Sequence, residues 1–253
     1  TMTQPGVYFT LNAPFVKLIG LYSNTSETTG VINGGAAGTQ QASFLLAQLQ
    51  AAATQREAKG SDPFALIFAV HHPPFTISSQ HFPSPQMLQD IDTACKTAGI
   101  WPDLVLSGHA HLYERYTRVM ASDGRAIPYL VAGNGGYFNL SAVRTGQNGG
   151  LPQTGIAGND GKGNKVTLEA YNDQVYGFLR LTVNASSISC EALGVNETTD
   201  AVSAIDQFTL DLQKHVVSAG SSAKKRGKKK KPTPESRKNV SSAPRPRPRK
   251  KRK

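Results

Sequence analysis

Disulfide chemistry has almost nothing to work with in this chain. Cys95 and Cys190 are its only two cysteines, too few for a disulfide framework, and their spacing matches no zinc motif. They leave the redox compartment open. Long apolar runs are missing as well, and no stretch reaches the length of a transmembrane helix. No secretory leader is visible at an N-terminus that opens on Thr1, so a secreted or periplasmic location follows only if a segment precedes it. Acidic residues are almost missing from the end of the chain: from Val216 to Lys253 there are 16 Lys+Arg against the single acid Glu235, and no aromatic residue. Residues 1–215 carry 12 basic and 16 acidic residues, so the net charge of +11 belongs to the tail. The main body therefore offers no basic face for nucleic acid. A tail without aromatics excludes base stacking and leaves only non-specific polyanion contact by counterion release, or a nuclear or membrane-surface signal.

What is present fits one domain followed by a tail. With 38% hydrophobic content, residues 1–213 suffice for one core, whereas 214–253 is expected to be a disordered polybasic tail, too poor in apolar side chains to offset its conformational entropy. Residues 7–22 read as two strands around Asn12-Ala13-Pro14, and 23–39 as a loop. Leu45, Leu49 and Ala52 fall on one stripe of a helix over 40–57. Phe64–Val70 is apolar throughout, as a strand covered on both faces should be. A loop with four prolines spans 73–85, and a helix follows over 86–98, ended by Gly99. Strands are expected at 104–107 and 129–132, then a turn at Gly133–Gly136 and a surface excursion over 139–165. A hairpin pairs 176–183 with 188–193, and Phe208, Leu210 and Leu212 alternate in a last strand. Five sequons, at Asn24, Asn139, Asn184, Asn196 and Asn239, would permit glycosylation in a secreted eukaryotic protein, though such triplets are common by chance in a Ser/Thr/Asn-rich chain. There is no internal repeat.

Two of the buried strands end in histidine. Leu104-Val105-Leu106 leads through Gly108 to His109-Ala110-His111, and Phe64–Val70 leads to His71-His72-Pro73. Open α/β sheets bind ligands at the carboxyl ends of their strands, and neutral imidazole suits zinc, iron and related ions. As an isolated pair, His109 and His111 read as structural histidines; the second strand-end histidine turns the reading toward metal ligands. Gly108 is expected to supply the sharp turn. His72 reads as a loop neighbour, His81 equally as a site residue or an ordinary loop histidine, Asn134 as a turn residue, and Glu114 with Arg115 as a structural ion pair. His215 reads as solvated.

His71-x-Pro after an apolar strand, then Gly108-His109-Ala110-His111 with Tyr113-Glu114-Arg115, resembles the calcineurin-like metallophosphoesterases, and among them the purple acid phosphatase branch. The resemblance covers most of residues 7–213. It implies an α/β fold that is the second half of a two-sheet sandwich flanked by helices. It implies that His71 and His109 ligate one ion of a dinuclear pair and His111 the other, the ions being Fe, Zn or Mn in divalent or trivalent form. In that branch a further histidine lies ten residues after the first ligand, and His81 stands there, as substrate-binding residue or general acid. The implied activity is acid-phosphatase-like hydrolysis of phosphoesters.

The chain departs from the family in its missing upstream motifs. Asp-x-His, Gly-Asp-x-x-Asp/Tyr and Gly-Asn-His-Glu/Asp are absent, and the Gly-Asn pairs at 133–134, 158–159 and 163–164 are not followed by histidine. The expectation is therefore the C-terminal portion of a longer enzyme, or a truncated frame, with an incomplete site. The alternative reading is a catalytically dead remnant that binds polyanions through its tail.

Overall fold

A computed structural model describes residues 1–24, 30–58, 63–136, 139–146 and 148–220. In chain order the elements are β1 (Met2–Thr3), β2 (Phe9–Ala13), β3 (Val16–Gly20), α1 (Gly35–Glu57), β4 (Ala65–Ala69), α2 (Pro85–Ala98), β5 (Leu104–Ser107), β6 (Tyr113–Val119), β7 (Ala126–Ala132), β8 (Ala157–Asn159), β9 (Lys165–Asn172), β10 (Gly177–Val183), β11 (Ser187–Val195), β12 (Val202–Asp211) and β13 (Val216–Ala219). They form a larger sheet in the order β1-β2-β3-β4-β5-β7-β6-β9-β8 and a smaller one in the order β10-β11-β12-β13. The fold is the expected α/β two-sheet sandwich.

Strand β4 shows why its sequence is apolar without alternation. Leu66, Phe68 and Val70 face a core shared with α1 and α2, which includes Leu45, Leu49, Ala52, Met87 and Ile91. Ala65 and Ile67 face the other way, against Ile188, Cys190, Phe208 and Leu210 of the smaller sheet. Both described helices thus lie on one face of the larger sheet, and the smaller sheet covers the other. Helix α2 starts where its sequence signals it should: Ser84 Oγ accepts from Met87 N at 3.1 Å, Pro85 takes the first turn, and Gly99 closes the helix at φ 70°. Helix α1 begins at Gly35, earlier than its apolar stripe.

Strands β6 and β9 escaped the hydrophobic pattern. Tyr-Glu-Arg-Tyr-Thr-Arg-Val in β6 is charged yet almost wholly buried. Each charge has its own partner. Arg118, with a fully buried side chain, reaches Asp92 of α2 at 2.6 Å and Asp160 at 2.8 Å. Arg115 meets Asp206 of β12 through two hydrogen bonds, 2.6 and 3.1 Å, and Tyr113 donates to the same carboxylate at 2.7 Å. The pair expected between Glu114 and Arg115 does not form, because adjacent strand residues point to opposite faces. Glu114 turns to the helical side instead, toward Thr76 and Ile77.

Three more expectations change. The excursion over 139–165 is tied to the body: Val143 bridges Ser78, and β8 pairs with β9. The order expected to stop at 213 continues into β13, whose Val216–Ala219 pair with Phe208–Asp211. His215 is only partly exposed: it lies in the turn between those strands at φ 50°, its Nδ1 3.6 Å from the buried Asp103. From 221 onward the basic tail lies outside the described residues. Among the described residues no helix is long and apolar enough to cross a membrane.

Breaking the Arg118 network tests this architecture. Asp92→Ala would leave a buried guanidinium with only part of its compensation and should cost about 3 kcal/mol or more in urea unfolding. A change under about 0.5 kcal/mol, the level of an ordinary surface substitution, would show the network to be dispensable.

Candidate functional site

Strands β3, β4, β5 and β7 run parallel, so their carboxyl ends open on one edge of the sheet. Strand β4 pairs directly with β5, Ala69 opposite Leu106. The ladder continues past both strands: Val70 N donates to Leu106 O at 2.9 Å and Gly108 N to His71 O at 3.0 Å. That continuation lays His71 beside the His109 loop.

The loop itself is tight. Ala110 N donates to Gly108 O at 2.7 Å and Leu112 N to Ala110 O at 2.8 Å. The residue in left-handed conformation is His109, at φ 61°, and not Gly108 as the sequence suggested. A non-glycine residue in that region costs on the order of 1–2 kcal/mol and persists where surrounding contacts over-determine it. Gly133, at the end of β7, supplies the close approach: a Cβ there would lie 1.9 Å from Ala110 O.

Five imidazoles gather at this edge, with His109 as their hub. Its ring centroid lies 4.9 Å from that of His71, 4.3 Å from His72 and 4.4 Å from His81, and His81 continues to His111 at 4.9 Å. All four residues singled out in the sequence, His71, His81, His109 and His111, are therefore brought together. His72 joins them, although the sequence had it as a neighbour only. The chain bends at 71–72, so successive side chains no longer diverge as they would in a strand. Ser23, just beyond β3, holds His72: its Oγ lies 2.8 Å from His72 Nδ1 and accepts from His72 N at 3.1 Å. Gly30 leaves the room, since a Cβ there would stand 2.3 Å from His72 Cγ. Asn134 plays the structural part expected of it, with Nδ2 donating to Val175 O at 3.1 Å.

Crowding of like groups sets the electrostatics. Burial, helped by the neighbouring imidazoles, pushes His72 and His109 down to about 4. Burial and the other imidazoles also lower His71 and His81. At neutral pH these rings are neutral, and each keeps one unprotonated nitrogen, the form that binds a Lewis acid. His71 Nε2 and His109 Nδ1 stand 3.1 Å apart. Two nitrogens each ~2.0–2.1 Å from one ion would be separated by about 3 Å, so this pair fits a shared cation. The fit stops at the imidazoles. Among the described residues no group of three or more His, Cys, Asp or Glu side chains is arranged to hold a metal ion, and no carboxylate joins the cluster.

No protein-family model matches the chain, and no curated protein sequence does either. Among solved structures, one of PhoD aligns over 88% of this chain and 45% of its own length, with a TM-score of 0.56 and 13% identity. The chain thus spans about half the length of that structure. A likeness at this identity speaks for the fold alone, the two-sheet arrangement, and does not single out the purple acid phosphatase branch.

Depressed imidazole pKa values carry a stability signature. A histidine near 4 in the folded protein and near 6.5 in the unfolded chain binds its proton only on unfolding across that interval. Stability of chelator-treated protein should therefore fall as pH drops from about 7 toward 4, and His72→Gln should flatten the slope. Urea midpoints at several pH values measure this; a midpoint that rises with acid would contradict the buried cluster.

Proposed function

We propose that this chain carries the histidine half of a dinuclear-metal phosphoesterase site of the purple acid phosphatase type. The observation that carries the reading is the convergence of His71, His81, His109 and His111 at the carboxyl edge of adjacent parallel strands. His71 and His109 would hold one ion and His111 the other, Fe, Zn or Mn. When bound, such a pair neutralises phosphate charge and activates water for in-line attack.

This chain's own residues would do the rest. His81, whose ring lies beside those of His109 and His111, would meet the leaving-group oxygen. In the reaction a water oxygen bonds to phosphorus, the ester P–O bond breaks, and the departing alkoxide takes a proton. His81 would deliver that proton. Its lowered pKa leaves it neutral in the free protein at neutral pH, so the donor form is favoured by acid pH or by the negative charge of a bound phosphoester. Ser23 would keep His72 in a fixed ring orientation beside His109, as partners behind a metal site do. The oxygen ligands that balance the cationic charge would come from residues outside this cluster. That requirement supports the reading of this chain as part of a longer enzyme.

The charge of the tail supports a second proposal, polyanion contact through Lys224–Lys253. Deleting that stretch should abolish salt-sensitive nucleic-acid binding and leave hydrolysis unchanged.

Hydrolysis of a chromogenic phosphomonoester by the full chain, supplied with Fe, Zn or Mn, is the direct test. The expected result for a half site is metal binding that His109→Ala weakens, with little or no turnover; metal-dependent turnover that chelator removes would show that this chain builds a working site by itself. Absence of both turnover and metal binding in folded protein would overturn the reading; zinc binding without turnover would locate the deficit in the missing oxygen ligands.

A further inference from the structure

His81 sits on the proline-rich loop between β4 and α2, and loops of this length hold a side chain in place only when something anchors them. Here the anchor is a buried acid on strand β6. Glu114 is completely buried. Its Oε1 accepts from Ile77 N at 2.9 Å and from the Thr76 hydroxyl at 3.2 Å, and Tyr116 donates to Oε2 at 3.4 Å. Thr76 Oγ1 in turn accepts from Ser78 N at 3.0 Å, and Ser78 Oγ accepts from His81 N at 3.2 Å. Thr76 and Ser78 are themselves buried. A continuous run of hydrogen bonds thus leads from the Glu114 carboxylate to the backbone of His81.

Segment 139–146 closes the same loop from the other side. Arg144 donates through its guanidinium to Thr76 O at 2.7 Å, and Ser79 N reaches Ala142 O at 2.9 Å. Ser141 N donates to His111 O at 2.8 Å, which ties the second histidine loop into the clamp. Phe75 sets its ring edge on Tyr129 at 5.0 Å, seating the loop on the sheet.

We infer that Glu114 is the positioning residue of this site: through Thr76 and Ser78 it holds His81 against His109 and His111, without itself touching a substrate. Burying this acid is unfavourable. Desolvation pushes its carboxyl up to about 7 despite the donors from Ile77, Thr76 and Tyr116 and the nearby Arg144 charge. Local rules are broken at functional sites when the geometry gained there is worth the cost. The functional meaning of the clamp rests on the phosphoesterase reading; its geometry does not.

Ring-proton contacts between His81 and His109, observed by NMR in the full chain, read the geometry directly. Glu114→Ala should abolish the His81–His109 contact while the His71–His109 contact persists. Glu114→Gln keeps a carbonyl oxygen for Ile77 N and Thr76, and should restore the contact. Ser78→Ala cuts the run at His81 alone and should weaken the same contact, which keeps the question decidable if Glu114→Ala does not fold. Retention of the contact at wild-type strength in Glu114→Ala, or in Ser78→Ala where the first variant is unfolded, would overturn the inference. If the wild type hydrolyses phosphoesters, Glu114→Ala should lower kcat roughly 10²-fold with little change in KM. A wild type that neither hydrolyses phosphoester nor binds metal would count against the phosphoesterase reading and leave the NMR result to decide the clamp.

Discussion

The parallel pairing of β4 with β5 is the constraint on which this site depends. Neighbouring strands of a sheet lie ~4.8 Å apart, so any two residues that follow them at matched register must stand side by side. The register that sets Ala69 opposite Leu106 runs on through Gly108 N and His71 O, and it delivers His71 to His109. A shift of one residue would turn every β4 side chain to the opposite face. Ala65 and Ile67 would lose the smaller sheet, and Leu66 and Phe68 would lose the helices. The register that assembles the histidines is thus enforced by the packing of both cores.

Polar groups stitch the layers where apolar packing ends. Asp206 on the smaller sheet takes Tyr113 and Arg115 from β6, and Arg118 on the other face of that strand takes Asp92 from α2 and Asp160. Buried charges of this kind add little net stability over an apolar core, but they penalise any arrangement that leaves one unpaired. Strand β6 is therefore committed to one position between helix and sheet. Glu114, on that strand, inherits the precision and passes it to the His81 loop.

Much of the architecture was legible because it rests on local rules. Phe64–Val70, the 86–98 helix with Ser84 before it and Gly99 after it, and the 176–193 hairpin follow from apolar run, cap and turn. Strand β6 was illegible because its burial depends on partners far along the chain: Arg115 needs Asp206, and Arg118 needs Asp92 and Asp160. The same holds for segment 139–146, whose polar composition suggested a surface path until Ile77 and Ser79 gave its backbone somewhere to bond.

At the candidate site the division is equally physical. The sequence by itself determined which imidazoles stand at strand ends, His71 after one apolar run and His109 with His111 after another, because burial of those runs is a local demand. Only the tertiary structure decided that the runs are adjacent and parallel, that His109 takes the left-handed backbone in place of Gly108, and that His72 and Ser23 join the cluster. It also decided that Glu114 faces Thr76 and not Arg115. Each of these follows from contacts between residues far apart in the chain, and sequence spacing alone contains no term for them.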